Sequence, residues 1–314
     1  MSLYTVWQYI FFFFLYSMLG WISEVIFAAL DTGKLVNRGF LNGPLCPIYG
    51  SGMVAILFLI GRWADNVFVV FFGGMLITTL VELIGGIILY RAFHTRWWDY
   101  SDQPFNLGGY ICLKFSLMWG LGSILLVMVF HPLIEKPVLS IPETPLVVID
   151  LVLLALFAVD LGLSIAAAIG LNKRMTQIEE ARSAMRVLSD KLTEVVGTSA
   201  LNADELLDEQ KLQLALARME GRDNMEQLRT EFEARAAEAT ARYRAAVNQL
   251  EQNTRFGPGR LLKAFPRMKS RDHADTVARL RARAGTLAQR ARKAVKEAVQ
   301  DTVEEWDRDS RPGD

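Results

Sequence analysis

The chain has 314 residues, 52% of them hydrophobic and 22% charged, with 34 basic against 34 acidic side chains. That balance excludes a strongly basic nucleic-acid binder as the whole-chain reading, 18 Phe and 7 Trp exclude a disordered polar chain, and two cysteines exclude a disulfide-rich scaffold. The averages hide a split: residues 1–171 hold 7 Lys/Arg and 10 Asp/Glu, and residues 172–314 hold the other 27 and 24.

Five stretches are apolar enough to cross a bilayer, at about 5–30, 47–62, 67–90, 110–131 and 145–171. The second is the weakest, since it opens on Pro47 and carries Gly50 and Gly52. The first 33 residues contain no Lys or Arg, so the basic start of a secretory signal peptide is missing. Lys34, Arg38, Arg91, Arg96, Lys173 and Arg174 fall on one side of these spans, against Arg62 and Lys136 on the other. The positive-inside rule then places the N-terminus outside and the charged C-terminal half in the cytoplasm.

Two loops on the expected cytoplasmic side are dense in turn-forming residues. The first runs Asn37-Arg38-Gly39-Phe40-Leu41-Asn42-Gly43-Pro44-Leu45-Cys46-Pro47-Ile48-Tyr49-Gly50, and the second Trp97-Trp98-Asp99-Tyr100-Ser101 followed by Phe105-Asn106-Leu107-Gly108-Gly109. Such runs specify close backbone approach instead of helix. They are read either as a structured cytoplasmic mouth or as markers of the membrane interface. Glu24, Glu82 and Lys114 sit at similar depths within the spans, and Asp160 lies near the middle of the last one. Ionisable groups at such depth are expensive unless paired or hydrated. One reading is a Glu–Lys pair that fixes helix packing. The other is a polar cavity lined by Glu24, Arg38, Glu82, Asp99 and Lys114, in which the carboxylates would bind a cation or polar headgroup and Arg38 an anion.

These residues resemble a family. Gly20-Trp21-x-x-Glu24, the run from Asn37 to Gly52, Glu82, Trp98-Asp99-Tyr100-Ser101, Phe105-Asn106, Gly109, Ile111-Cys112-Leu113, Ser116-Leu117 and Trp119-Gly120 occur in one order. Over roughly residues 5–135 they are similar to the ABC-transporter type IV (CmpB-like) family of bacterial integral membrane proteins. The resemblance implies a transport role in the bacterial cytoplasmic membrane and brings no substrate. The chain has no G-x-x-x-x-G-K-[ST] run, so a nucleotide-binding ATPase would be a separate subunit docking on the cytoplasmic loops. Cys46, Cys112 and His94 lack zinc-ligand spacing, and no metal or other cofactor is expected. Hydrolase and metalloprotease motifs are missing. An intramembrane enzyme using Glu24, Glu82 or Asp160 as acid or base stays open.

The tail reads as helix. Ile178, Ala181, Met185, Leu188, Leu192 and Val195 alternate three and four apart, as does a second seam from Leu228 through Phe232, Ala236, Ala239, Tyr243 and Ala246 to Leu250. Self-association through a coiled coil and packing within one chain both fit. Charge is blocked: net −5 over 175–251, +11 over 255–296, and −5 over 297–314. Arg255, Arg260, Lys263, Arg267, Lys269 and Arg271, interleaved with apolar side chains, suit anionic lipid headgroups better than nucleic acid in a chain tethered to a membrane. Pairing with the acidic helices would neutralise the same block.

The expected fold is an all-α membrane protein with about five transmembrane helices and a long cytoplasmic helical tail. The expected domains are a transmembrane region at 1–171, a coiled-coil segment at 172–254, a basic linker at 255–271, and a C-terminal helix with acidic tail at 272–314. The leading functional reading is a transporter or permease component. The alternatives are a membrane-anchored scaffold acting through a self-associating tail, and an intramembrane enzyme.

Overall fold

The computed structural model describes residues 3–33, 35–196, 226–252 and 257–282. Helix α1 (Val6–Thr32) starts at a capping box, with Thr5 accepting from the Gln8 amide and Gln8 returning the bond to Thr5, and stops at Gly33 in the left-handed region. Helix α2 spans Pro47–Ile60, with proline at its first turn. Helix α3 (Val67–Phe93) is capped by the Asn66 side chain, which accepts from the Phe68 and Val69 amides. Helix α4 (Leu113–Ile124) continues through a π-helical stretch, Leu125–Phe130, into α5 (His131–Leu139). Helix α6, Glu143–Val196, has 54 residues.

Among the described residues, four helical segments are long and apolar enough to cross a membrane: Val6–Leu30, Val67–Phe93, Leu113–Leu139 and Glu143–Lys191. The expected second span is instead a shorter apolar helix, Pro47–Trp63. The 14 residues of α2 extend about 21 Å, short of the ~30 Å hydrocarbon core. The reason lies in where α2 begins. The Cys46 amide donates to the Ser17 carbonyl at 2.9 Å, and Ser17 lies fifteen residues, or about 22 Å, before the end of α1. After α1 the chain therefore returns deep into the bundle as irregular backbone, and α2 covers only the remaining height.

Phe12 and Tyr16 of α1, Met53, Ile56 and Leu57 of α2, Val70 of α3, Val127 and Val138 form the core where these helices meet. The α1–α2 contact depends on Gly50: any side chain there would overlap the Ser17 hydroxyl and the Phe13 carbonyl.

Helix α6 crosses the expected boundary at 171 without a break. Leu146 near its start is buried, as is a stripe from Ala167 through Leu171, Met175, Ile178 and Ala181 to Met185. Its first part packs on α1, and its later part on α7 (Glu226–Gln252). Phe232, Ala236, Ala239, Ala246 and Leu250 of α7 are buried. The two seams expected to drive self-association thus cover each other within one chain.

The described part of the expected basic linker, residues 257–271, is folded onto the bundle. Pro258–Ala264 forms α8, which packs against α6 and α7. Two-residue strands β1 (Thr95–Arg96), β2 (Asn106–Leu107) and β3 (Ile111–Cys112) lie between α3 and α4, and β4 (Lys269–Ser270) follows α8. Strand β4 pairs antiparallel with β1, Thr95 opposite Ser270 and Arg96 opposite Lys269, and β2 pairs with β3. One compact unit runs through Arg271. In the second unit, residues 274–282 are helical. The expected C-terminal acidic tail lies outside the described residues.

Candidate functional site

Irregular backbone inside an apolar bundle must have its polar groups satisfied by protein, and the re-entrant loop between α1 and α2 meets this through long-range partners. Asn37 organises its tip: Oδ1 accepts from Trp21 Nε1 and from the Gly39 amide, both at 2.9 Å, while Nδ2 donates to the Asn42 carbonyl at 2.9 Å. Leu45 donates back to the Gly43 carbonyl around Pro44. Asp160 of α6 receives the Gly43 amide at 2.8 Å and both the amide and the side chain of Asn42 at 3.1 Å. The aspartate left open as an intramembrane acid or base thus serves the loop backbone.

The loop between α3 and α4 is built the same way. Trp98 Nε1 donates to the Tyr110 carbonyl at 2.9 Å, Asn106 Nδ2 to the Gln103 carbonyl at 2.8 Å, and the Gly109 amide to Asn106 Oδ1 at 3.0 Å. Gly108 and Gly109 take positive φ, which permits the β2–β3 turn. Ser101 donates through both its amide and its hydroxyl to Asp99 Oδ1.

Between these loops lies a chain of acids and aromatic rings. Glu24, on α1, accepts from the Tyr49 hydroxyl at 2.6 Å and faces Arg38 at 3.6 Å. The Tyr49 ring meets the Trp119 ring edge-on, with centroids 5.5 Å apart. Trp119 Nε1 donates to Glu82 Oε2 at 3.1 Å, and the Tyr100 hydroxyl donates to Oε1 at 3.0 Å. Tyr100 stacks on Phe115 at 4.6 Å. Burial and the neighbouring Glu82 push the Tyr100 hydroxyl well above its ordinary pKa, so it stays a donor. Glu82 is only 5% exposed, and among the described residues no cation pairs with it.

Of the five expected cavity residues, the structure brings together Glu24, Arg38 and, through Tyr49 and Trp119, Glu82. It does not bring Lys114 to them. Lys114 is exposed, with its ammonium 6.0 Å from the Phe115 ring centre, and the expected Glu–Lys pair is not made. Asp99 belongs to a separate contact. Its carboxylate pairs with Lys269 Nζ at 2.5 Å and with Arg96 at 3.7 Å. Burial raises the Asp99 carboxyl, but the Lys269 ammonium and the Ser101 donors outweigh it and hold the group below the usual carboxylate range.

Lys269 is one anchor of a clamp formed by residues 257–271. Arg260, 4% exposed, donates to the carbonyls of Gly39 at 2.8 Å and Phe40 at 2.6 Å. Phe265 packs on Trp97 with centroids 4.9 Å apart, and the Arg271 amide donates to the His94 carbonyl at 3.0 Å. The clamp therefore ties the two motif-rich loops together. Of the six basic residues expected at lipid headgroups, Arg260 and Lys269 are instead engaged by protein, because two loop carbonyls and a buried carboxylate need donors. Lys263, Arg267 and Arg271 have exposed side chains, and Arg255 lies outside the described residues.

At the opposite end of the bundle sits a cluster that the sequence reading passed over. His131 is hydrogen-bonded through both ring nitrogens, to Tyr4 at 2.9 Å and Tyr16 at 2.8 Å, and Tyr4 donates to Glu135 at 2.6 Å. The fourth span was expected to end at 131, whereas the helix runs to Leu139. The pattern His131-x-x-x-Glu135, four apart on one helical face, was the available signal.

These features define a polytopic helical membrane protein whose conspicuous loops fold back into the bundle. The family model described as Putative ABC-transporter type IV matches residues 11–165. The membrane region of this chain belongs to that family. The match extends past the motif-bearing residues into α6 and includes Asp160, while the later part of α6, α7 and the clamp lie beyond it. No curated protein and no solved structure matches the chain.

Proposed function

We propose that the chain is the membrane component of a transporter, oriented with its loops and tail toward the cytoplasm, and that it binds a cationic group at Glu82. The observation that carries this reading is the set of partners around Glu82. A buried carboxylate normally has a cation or a proton, and here two neutral donors, Tyr100 and Trp119, hold it among aromatic rings, with no cation among the described residues facing it. A carboxylate beside Trp and Tyr faces suits a small ammonium-type cation. Glu24, Tyr49 and Arg38 form the mouth: Arg38 neutralises Glu24, while no cation among the described residues answers Glu82.

Energy would come from a separate ATPase subunit, since the sequence carries no phosphate-binding loop. The clamp from 257 to 271 occupies part of the loop face, so such a subunit would dock on the clamp and loops as one surface. The scaffold reading loses support because the tail seams are buried against each other. Deleting 172–314 does not separate the two readings, because it also removes the clamp.

The test is binding of tetramethylammonium to the purified full chain, read through tryptophan fluorescence with W119F as the control. Saturable quenching in the wild type that disappears in E82Q supports the reading. Equal quenching in E82Q sinks it.

A further inference from the structure

The His131 cluster lies at the other end of the bundle from Glu82 and stands independently of the cargo reading. Its hydrogen bonds assign its protons. Tyr4 donates to the Glu135 carboxylate, so the Tyr4 oxygen has only acceptor capacity left for His131. The hydrogen bond at 2.9 Å must then run from Nε2–H to Tyr4. A neutral imidazole carries one N–H, so Nδ1 is bare and accepts from Tyr16 at 2.8 Å. The donors run in one direction, Tyr16 to His131 to Tyr4 to Glu135.

The surroundings make this arrangement responsive. His131 is 5% exposed and packed edge-on against Phe12. The elements that close on the cluster, α2 and α3, contribute apolar side chains: Met53, Ile56, Leu57 and Val70. Among the described residues the titratable groups facing it are Tyr4 and Tyr16, with Tyr9 behind Tyr4 and Glu135 one turn along its own helix. Apolar burial opposes an imidazolium, whereas a carboxylate relayed through a polarised hydroxyl favours it. Glu135 is half-buried and lies at the edge of the cluster, within the last turns of its helix. The π-helical stretch that ends at Phe130 immediately precedes His131; such stretches shift the side chains that follow and recur at functional sites.

We propose that Tyr16, His131, Tyr4 and Glu135 form a proton-binding site. One proton from water adds at Nδ1 of His131, forming an N–H bond and giving the imidazolium. No other covalent bond changes. Nε2–H keeps its hydrogen bond to Tyr4, and Glu135 serves as counter-ion through the Tyr4 hydroxyl. Nδ1–H now donates to the Tyr16 oxygen, so the Tyr16 hydroxyl must turn its hydrogen to another acceptor. Tyr16 and Glu24 lie on the same helix, α1, so proton uptake at one end acts on the helix that carries the mouth at the other.

The chain has three histidines, His94, His131 and His273, which makes nitrogen-15 spectra of the histidine-labelled full chain in micelles readable, with H131Q for assignment. At pH 8 the expected result is an Nε2–H tautomer with bare Nδ1. By pH 5.5 both nitrogens should be protonated, and E135Q and Y4F should each reduce the doubly protonated fraction at that pH at least fivefold. The signals of His94 and His273 should not change in either variant. An Nδ1–H tautomer at pH 8 overturns the proposal. So does a His131 that stays neutral at pH 5.5, or a protonated fraction that is the same in E135Q as in the wild type.

Discussion

The loop shell and the bundle interior both hold carboxylates, but they use them for opposite ends. In the shell, Asp160 receives two backbone amides, Asp99 receives Lys269 and Ser101, and Glu24 receives Arg38 and Tyr49. Each of these charges is answered by a donor from a distant part of the chain, so each buys the position of a loop. In the interior, Glu82 is met by neutral donors alone. The lesson is that neither depth nor residue type assigns a role to a membrane carboxylate. The identity of its partners does.

If the comparison holds, shell substitutions should cost stability and spare cation binding, and interior substitutions should do the reverse. The largest stability loss is expected for D160A, which strands the Gly43 amide inside the bundle and leaves the Asn42 amide and side chain only the Ser164 hydroxyl; with three donors losing the carboxylate the total is about 3–5 kcal/mol. Thermal unfolding in detergent reads this, and D160N, keeping one acceptor oxygen, should fall between the two. Next comes R260A, about 2–4 kcal/mol, since two buried carbonyls lose a charged donor. Limited proteolysis should then cut the released clamp, and R260K should restore little, because a single ammonium does not reproduce the fork. E82Q should change stability by only about 1 kcal/mol, as an amide can keep one of the two incoming donors. K269A is the mildest, at most about 1 kcal/mol, because the lysine is largely exposed.

The Asp99–Lys269 contact also has a pH window. The carboxyl of Asp99 is held below its ordinary value, so its contribution is complete above the unfolded pKa of about 4 and is lost as pH falls through the lower folded value. Lys269 is raised by Asp99, so its contribution is complete below about pH 10 and is lost as pH rises through the higher folded value. Clamp protection against proteolysis should therefore be flat between those limits, and D99N should remove both edges.

Much of this architecture was legible in the sequence. Length and apolarity marked the crossing helices, and the Gly-Pro density of 37–50 marked backbone that is not helical. The helical seams at 178–188 and 232–250 were readable from spacing, but their partner was not, because a seam specifies an apolar face and leaves open what covers it. Glu82 was readable as an interior charge, whereas Lys114 was misplaced opposite it, since equal depth does not mean equal azimuth. The role of Asp160 was not legible because its partners are amides over a hundred residues away. Arg260 was one of six basic residues in a run, and nothing local distinguishes the one whose guanidinium reaches the Gly39 and Phe40 carbonyls.

The most direct test of the account is equilibrium binding of radiolabelled tetramethylammonium to wild type, E24Q and E82Q, each with its melting curve. At least a tenfold loss of affinity is expected in E82Q, with E24Q within threefold of wild type and all three folded. Loss in E24Q with retention in E82Q, or equal binding in all three, would contradict it.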